Sequence, residues 1–210
     1  MAIVWPCTLP VDAYAAAGRS VDVPRADCPD CGEPMRLWSG YFRFVREEGS
    51  CLKIWVPRGR CATCSRTHAL LPAFCALNRL DQVESIGQVI AAVVGGLSGV
   101  RPAAEGIGVP HTTARGWVRR FYRNAQRLAV AFAALCVDLG DDAPTPVSDR
   151  LSFALQAMTA SWRAACALPG WMSVDPWRFC SSVCGGSLLS TNTNSPWLVI
   201  GKRRFMPPVP

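Results

Sequence analysis

The chain has 210 residues, half of them hydrophobic, which allows one compact domain or two small ones with a real core. Its net charge is +7 and its pI about 9.0, a balance that favours a polyanionic partner, nucleic acid before membrane. The eleven cysteines are an odd number, and the chain opens without a signal-peptide pattern; a reducing cytosol is expected rather than a secreted disulfide scaffold. The longest apolar run, Ile86–Val100, is too short and too glycine-rich to span a bilayer.

In chain order, Met1–Ala26 reads as an arm with a short helix at Val11–Ala17, wrapped around the cysteine-containing segment after it. Cys7 within the arm has no near partner and reads as a buried or free thiol. Two Cys-x-x-Cys pairs come next, Cys28/Cys31 and Cys61/Cys64. Two intervening residues let both thiolates of a tight turn face one metal, and four thiolates at about 2.3 Å close a tetrahedral zinc site with no open position. A redox role would need a βαβ setting that neither pair has. Tyr41–Arg46 and Cys51–Val56 alternate as strands do, with Glu47–Ser50 as the turn between them. The expectation is a small zinc ribbon: two metal knuckles clamping a hairpin, with one structural zinc on Cys28, Cys31, Cys61 and Cys64. His68 could replace a cysteine as ligand, Cys51 reads as a packing residue, and Arg58, Arg60 and Arg66 are placed to meet phosphates or to form a solvated rim.

A trihelical pattern comes after the ribbon. Asp81–Val94 carries Val83, Ile86, Val89, Ile90 and Val93 on one face and stops at Gly95-Gly96. A short helix over Val100–Ile107 tolerates Pro102 only near its start. Gly108-Val109-Pro110 turns the chain, and Thr112 caps a third helix beginning at Thr113. Small Ala104, the glycine four residues later, then Ala114 and Trp117, match a helix-turn-helix. Its other face presents His111, Thr112, Thr113, Arg115, Arg119, Arg120 and Arg123, the expected contacts to double-stranded DNA.

From Ala114 through Phe121, Leu128 and Phe132 to Leu139 the apolar positions keep a heptad spacing. Leu151, Leu155, Met158, Trp162 and Ala165 repeat it after a proline-rich loop, with Ser148 or Asp149 as cap. An antiparallel helical hairpin is the simplest reading, and homodimerisation through the first seam the sharper one. Asp175–Val183 is a further short helix whose Cys180 and Cys184 read as core thiols, with a second metal as the alternative. The tail carries Trp197, Lys202-Arg203-Arg204 and a proline-rich end, and reads as irregular.

The expected fold is therefore mainly α with a small N-terminal β zinc ribbon, a trihelical helix-turn-helix, a helical hairpin and an irregular C-terminal tail. The expected divisions are 1–75 (arm and ribbon), 76–127 (helix-turn-helix), 128–187 (C-terminal helices) and 188–210 (basic tail).

The stretches RADCPDCGEPM, WSGYFRFVR, RGRCATCSRTHALLP, AAEGIGVPHTTARGWVRRF and LLSTNTNSPW resemble a family of actinobacterial mobile-element proteins of unknown function. These pair a zinc ribbon with a helix-turn-helix and look like companions of DDE-type transposases or integrases. The resemblance implies zinc on Cys28, Cys31, Cys61 and Cys64, DNA reading by Thr112–Arg123, and a cytoplasmic, nucleoid-associated place in transposition. The chain itself is not expected to be an enzyme. DDE chemistry needs three carboxylates on a sheet, whereas Asp138, Asp141, Asp142, Asp149 and Asp175 follow helices and loops. Rival readings are an autoregulatory transcription factor, an RNA binder, or an adaptor that holds a recombinase and never touches DNA.

Overall fold

The computed structural model describes residues 2–168 and 174–189. Four strands, β1 (Ala2–Trp5), β2 (Met35–Glu47), β3 (Ser50–Cys61) and β4 (Thr67–Pro72), form one sheet in the order β1-β4-β3-β2. β1 runs parallel to β4, and the other pairs are antiparallel. Six α-helices complete the fold among the described residues: α1 (Val11–Ala17), α2 (Val83–Val94), α3 (Val100–Gly106), α4 (His111–Asp138), α5 (Arg150–Cys166) and α6 (Pro176–Val183).

The mixed sheet overturns the expectation of a mainly α chain with a small ribbon. The hairpin is where the sequence puts it, but its strands are about twice as long as Tyr41–Arg46 and Cys51–Val56. The tip is a two-residue turn, with Glu48 and Gly49 both at positive φ (46° and 81°) between paired Glu47 and Ser50. That geometry matches the twist of the flanking strands. Leu70-Leu71-Pro72, which read as an exit from the ribbon, belongs to β4. The arm does more than wrap: buried Ile3 and Val4 pair with Leu70 and Leu71. α1 closes the other side, its Tyr14 fully buried, edge-on to Phe74 and donating to the Trp55 carbonyl at 3.0 Å.

A second core joins α2 to α6. α2, α3 and the start of α4 contact one another through Ile86, Ile90, Ala104, Val109, Ala114 and Trp117. Gly108 turns the chain between α3 and α4 with φ +67°. α4 starts at His111 with Pro110 at its N-cap and no side-chain cap, so the expected Thr112 cap is not made. α4 then runs unbroken for 28 residues and buries Phe121, Leu128, Phe132 and Leu135 within the chain.

Its pairing with α5 corrects the antiparallel hairpin. The Arg150 guanidinium lies 4.0 Å from the Tyr122 ring centre, and ten residues further along α4 the Ser161 hydroxyl donates to the Phe132 carbonyl. Residue numbers therefore rise together, and the two helices run parallel. The connection Leu139–Asp149 must return over about 24 Å of α4, which eleven residues can span at about 3.3 Å each. Pro144 and Pro146 suit that extended path, and the Asp142 carbonyl accepts from Cys136 Sγ at 3.3 Å on the way back. Asp149 caps α5, accepting from the Ser152 N–H at 2.8 Å.

Candidate metal centre and nucleic-acid surface

The two Cys-x-x-Cys segments fold into the same turn twice. In the first, the Cys28 N–H donates to the Glu33 carbonyl (2.8 Å) and the residue after the second cysteine, Gly32, has φ +80°. In the second, the Cys61 N–H donates to Arg66 (2.9 Å) and Ser65 has φ +59°. Each turn ends with a residue in the left-handed region, which lets the backbone curl around its sulfurs. The first precedes β2 and the second follows β3, and the pairing Met35↔Cys61 brings the turns face to face.

Cys28 Sγ lies 3.5 Å from Cys64 Sγ, Cys31 Sγ lies 3.4 Å from Cys61 Sγ, and all four sulfurs fall within 4.8 Å of one another. Sulfurs about 2.3 Å from a tetrahedral ion stand about 3.8 Å apart, so the cluster can hold a metal ion of zinc's size with little movement. Electrostatics points the same way. The backbone N–H of Cys64 draws Cys61 down to about 7. Cys31 stands at about 12: the Glu33 backbone lowers it, but the neighbouring Cys61 sulfur, desolvation and the other two thiols outweigh that. One ionised thiol thus suppresses its neighbour, and only a cation lets all four ionise together.

His68, on β4, is 1 % exposed and lies behind this cluster. Its Nε2 is 3.8 Å from Cys28 Sγ and 3.3 Å from Asp30 Oδ2, and Arg66 reaches Asp30 at 3.4 Å. Cys28, Asp30 and His68 are themselves close enough to share an ion, the other such grouping among the described residues. Asp30 escaped the sequence reading because a carboxylate inside a Cys-x-x-Cys turn looks like turn chemistry. The remaining cysteines lie elsewhere. Cys7, Cys75, Cys136, Cys180 and Cys184 are buried and Cys166 half-buried, while Cys51 is exposed on β3 rather than packed.

Along α4, His111, Thr112, Arg115, Arg119 and Arg123 are exposed, and Thr113 and Arg120 are half-buried. Asp138 is the first carboxylate on the helix. Burial, then the nearby Arg79 and Arg123, lower the pKa of Arg120, so three guanidinium groups gather at one place. Arg79, in the segment before α2, was invisible as a site residue because only folding brings it beside α4. The hairpin tip meets this region too: a Cβ on Gly108 would lie 3.3 Å from Gly49 Cα. The predicted tail contacts fall outside the described residues. No helix among the described residues is long and apolar enough to cross a membrane.

Residues 28–117, less than half of the chain, match a family described as a domain of unknown function (DUF6431). The match takes in both knuckles, the hairpin, β4 and the helices up to Trp117. No curated protein and no solved structure matches the chain.

Proposed function

We propose that the protein is a zinc-dependent, double-stranded-DNA-binding factor that reads duplex through the first turns of α4. It performs no catalysis in this reading and serves a mobile element, beside a DDE-type transposase or integrase in the nucleoid. The observation that carries the DNA half is the exposed face from His111 to Arg123. It holds no carboxylate and is backed by the Arg79–Arg120–Arg123 cluster, an arrangement of like charges that a polyanion relieves. The uncapped N-terminus of α4 adds backbone N–H groups that suit a phosphate. Zinc on the four cysteines would lock the β2–β3 hairpin, whose tip supports the turn before α4. The mobile-element half rests on the resemblance of residue order alone. A homodimer would have to use a surface other than the α4 seam, which is buried within the chain.

The test is selection of bound duplexes from a random pool, then anisotropy titration of the winner. Arg115→Ala and Arg119→Ala are each expected to weaken specific binding by about 1–3 kcal/mol where they read bases. Equal loss on scrambled duplex makes them phosphate contacts, and affinity must fall steeply with salt in either case. Indifference to every duplex at low salt overturns the reading and favours an adaptor that does not touch DNA.

A further inference from the structure

β2 is an edge strand of the sheet, and it carries an exposed Trp38 that the metal-centre and α4 readings leave unused. Trp38 sits at a bulge, where the register shifts between Leu37 and Ser39, and it faces no residue of β3. Its indole is 59 % exposed, and the Arg60 guanidinium lies 4.8 Å from its ring centre. Arg36 stands directly opposite Arg60 across the strands. Together these three side chains line a cleft of about 350 Å³ floored by the second knuckle.

Two like charges facing one another across strands are destabilising. Among the described residues neither arginine has a carboxylate within ion-pair distance. Thiolate charge in the metal centre accounts for part of that excess, but it gives no reason to leave a tryptophan in water at the same spot. A flat π surface flanked by two guanidinium groups has the chemistry of a nucleotide site, with the base stacked on the ring and the phosphate held by the arginines. The half-exposed Tyr41 lies on the same face of the sheet: Tyr41, Ser39 and Arg36 pair with Val56, Arg58 and Arg60, which alternate along β3.

We propose that the Trp38–Arg36–Arg60 cleft binds single-stranded DNA, taking an unpaired base on Trp38 and its phosphates on the two arginines. The stacking chemistry stands by itself; the choice of DNA over RNA rests on the α4 reading. Trp38 lies about 37 Å of hairpin away from the tip at Gly49, so one molecule could hold duplex and unpaired strand at separate places.

The experiment is anisotropy of labelled oligothymidylate, about 10 nucleotides long, against the full-length metal-loaded chain. Zinc content is measured on every variant, so that loss of the knuckle is recognised. Trp38→Ala is expected to cut affinity by about tenfold or more. Trp38→Phe should restore most of it, and Arg36→Ala combined with Arg60→Ala should lose binding and flatten the salt dependence. Duplex binding should be unchanged in all of them, and Arg115→Ala should have the reverse pattern. Unaltered single-strand affinity in Trp38→Ala with zinc retained overturns the proposal. So does tighter binding of the matching oligouridylate, or self-association that Trp38→Ala abolishes while single-strand affinity persists. If no duplex binds but Trp38→Ala still loses oligothymidylate, the α4 reading fails and this one stands.

Discussion

Nine of the eleven thiols separate into three chemical classes by position alone. Burial pushes Cys7 up to about 11 and Cys75 up to about 12, and raises Cys180 and Cys184 further still. At pH 8 these four are protonated and out of reach, and thiolate is the reactive form. Cys51 is exposed on β3, and Cys28, Cys31, Cys61 and Cys64 hold their sulfurs for a cation. In the native metal-loaded protein, alkylation followed by peptide mass spectrometry is expected to label Cys51 at once. The four knuckle cysteines should react only after a chelator is added, and Cys7, Cys75, Cys180 and Cys184 only in denaturant. Knuckle cysteines that react as fast as Cys51 before chelation would mean the centre is not a closed metal site. The knuckles were legible in the sequence because their information is local: two residues between cysteines, and a Gly or Ser just after. Asp30, His68 and Arg79 were not, since their partners lie on other elements.

The helix α2 owes its place to one missing side chain. A Cβ on Gly87 would sit 2.1–2.3 Å from the Trp177 ring, so α6 can lay its indole flat on α2 only at a glycine. Gly87→Ala is expected to lower stability by about 1–3 kcal/mol, or more if the ring cannot shift. Trp177→Ala should cost stability alone, yet reduce the penalty of Gly87→Ala in the double variant, which a thermal-melt double-mutant cycle would read. Additive effects would mean that the two do not touch in solution. α2 itself was readable from its stripe of Val83, Ile86, Val89 and Ile90, and the whole of α4 from its heptads. Partnership was not readable. β1 is four residues long and pairs in parallel with a strand more than sixty residues away, which no local pattern encodes. The heptad spacing of α5 favoured Leu151, Leu155, Met158, Trp162 and Ala165, of which Met158 and Ala165 are buried and the other three half-buried. Ala154, Ala157 and Ser161, outside that spacing, are also fully buried, and small enough to let α5 approach α4 closely. Nor does a seam say which way its partner runs; an extended Pro-containing loop of this length reaches far enough for either direction.

The sheet and the helices are held to one another through Arg178 of α6. Its guanidinium pairs with Glu84 of α2, donates to the Cys7 carbonyl at 2.9 Å and the Leu9 carbonyl at 3.3 Å, and lies 5.5 Å from the Phe74 ring centre. Nearby, the Leu77 N–H donates to the Gly186 carbonyl at 2.8 Å. Glu84 is mostly buried, and desolvation raises its pKa even though Arg178 pulls the other way. Replacing Arg178 by methionine keeps the stem and removes the charge, leaving a carboxylate in a dry place. The cost at pH 7 is expected to reach up to about 3–5 kcal/mol. The sign of its pH dependence is set by the direction of the shift. A carboxyl whose folded pKa lies above its unfolded value of about 4.3 contributes stability that is fully present below that value and lost as pH rises through the folded one. Without Arg178 the folded value rises further, so the deficit of Arg178→Met should shrink as pH falls from 7 toward 5. Glu84→Gln in the same background should remove that dependence and recover part of the loss. Denaturant unfolding of the three variants across this range measures it. A deficit that grows with acidity would mean that Glu84 is solvated and the joint between the two cores is made elsewhere.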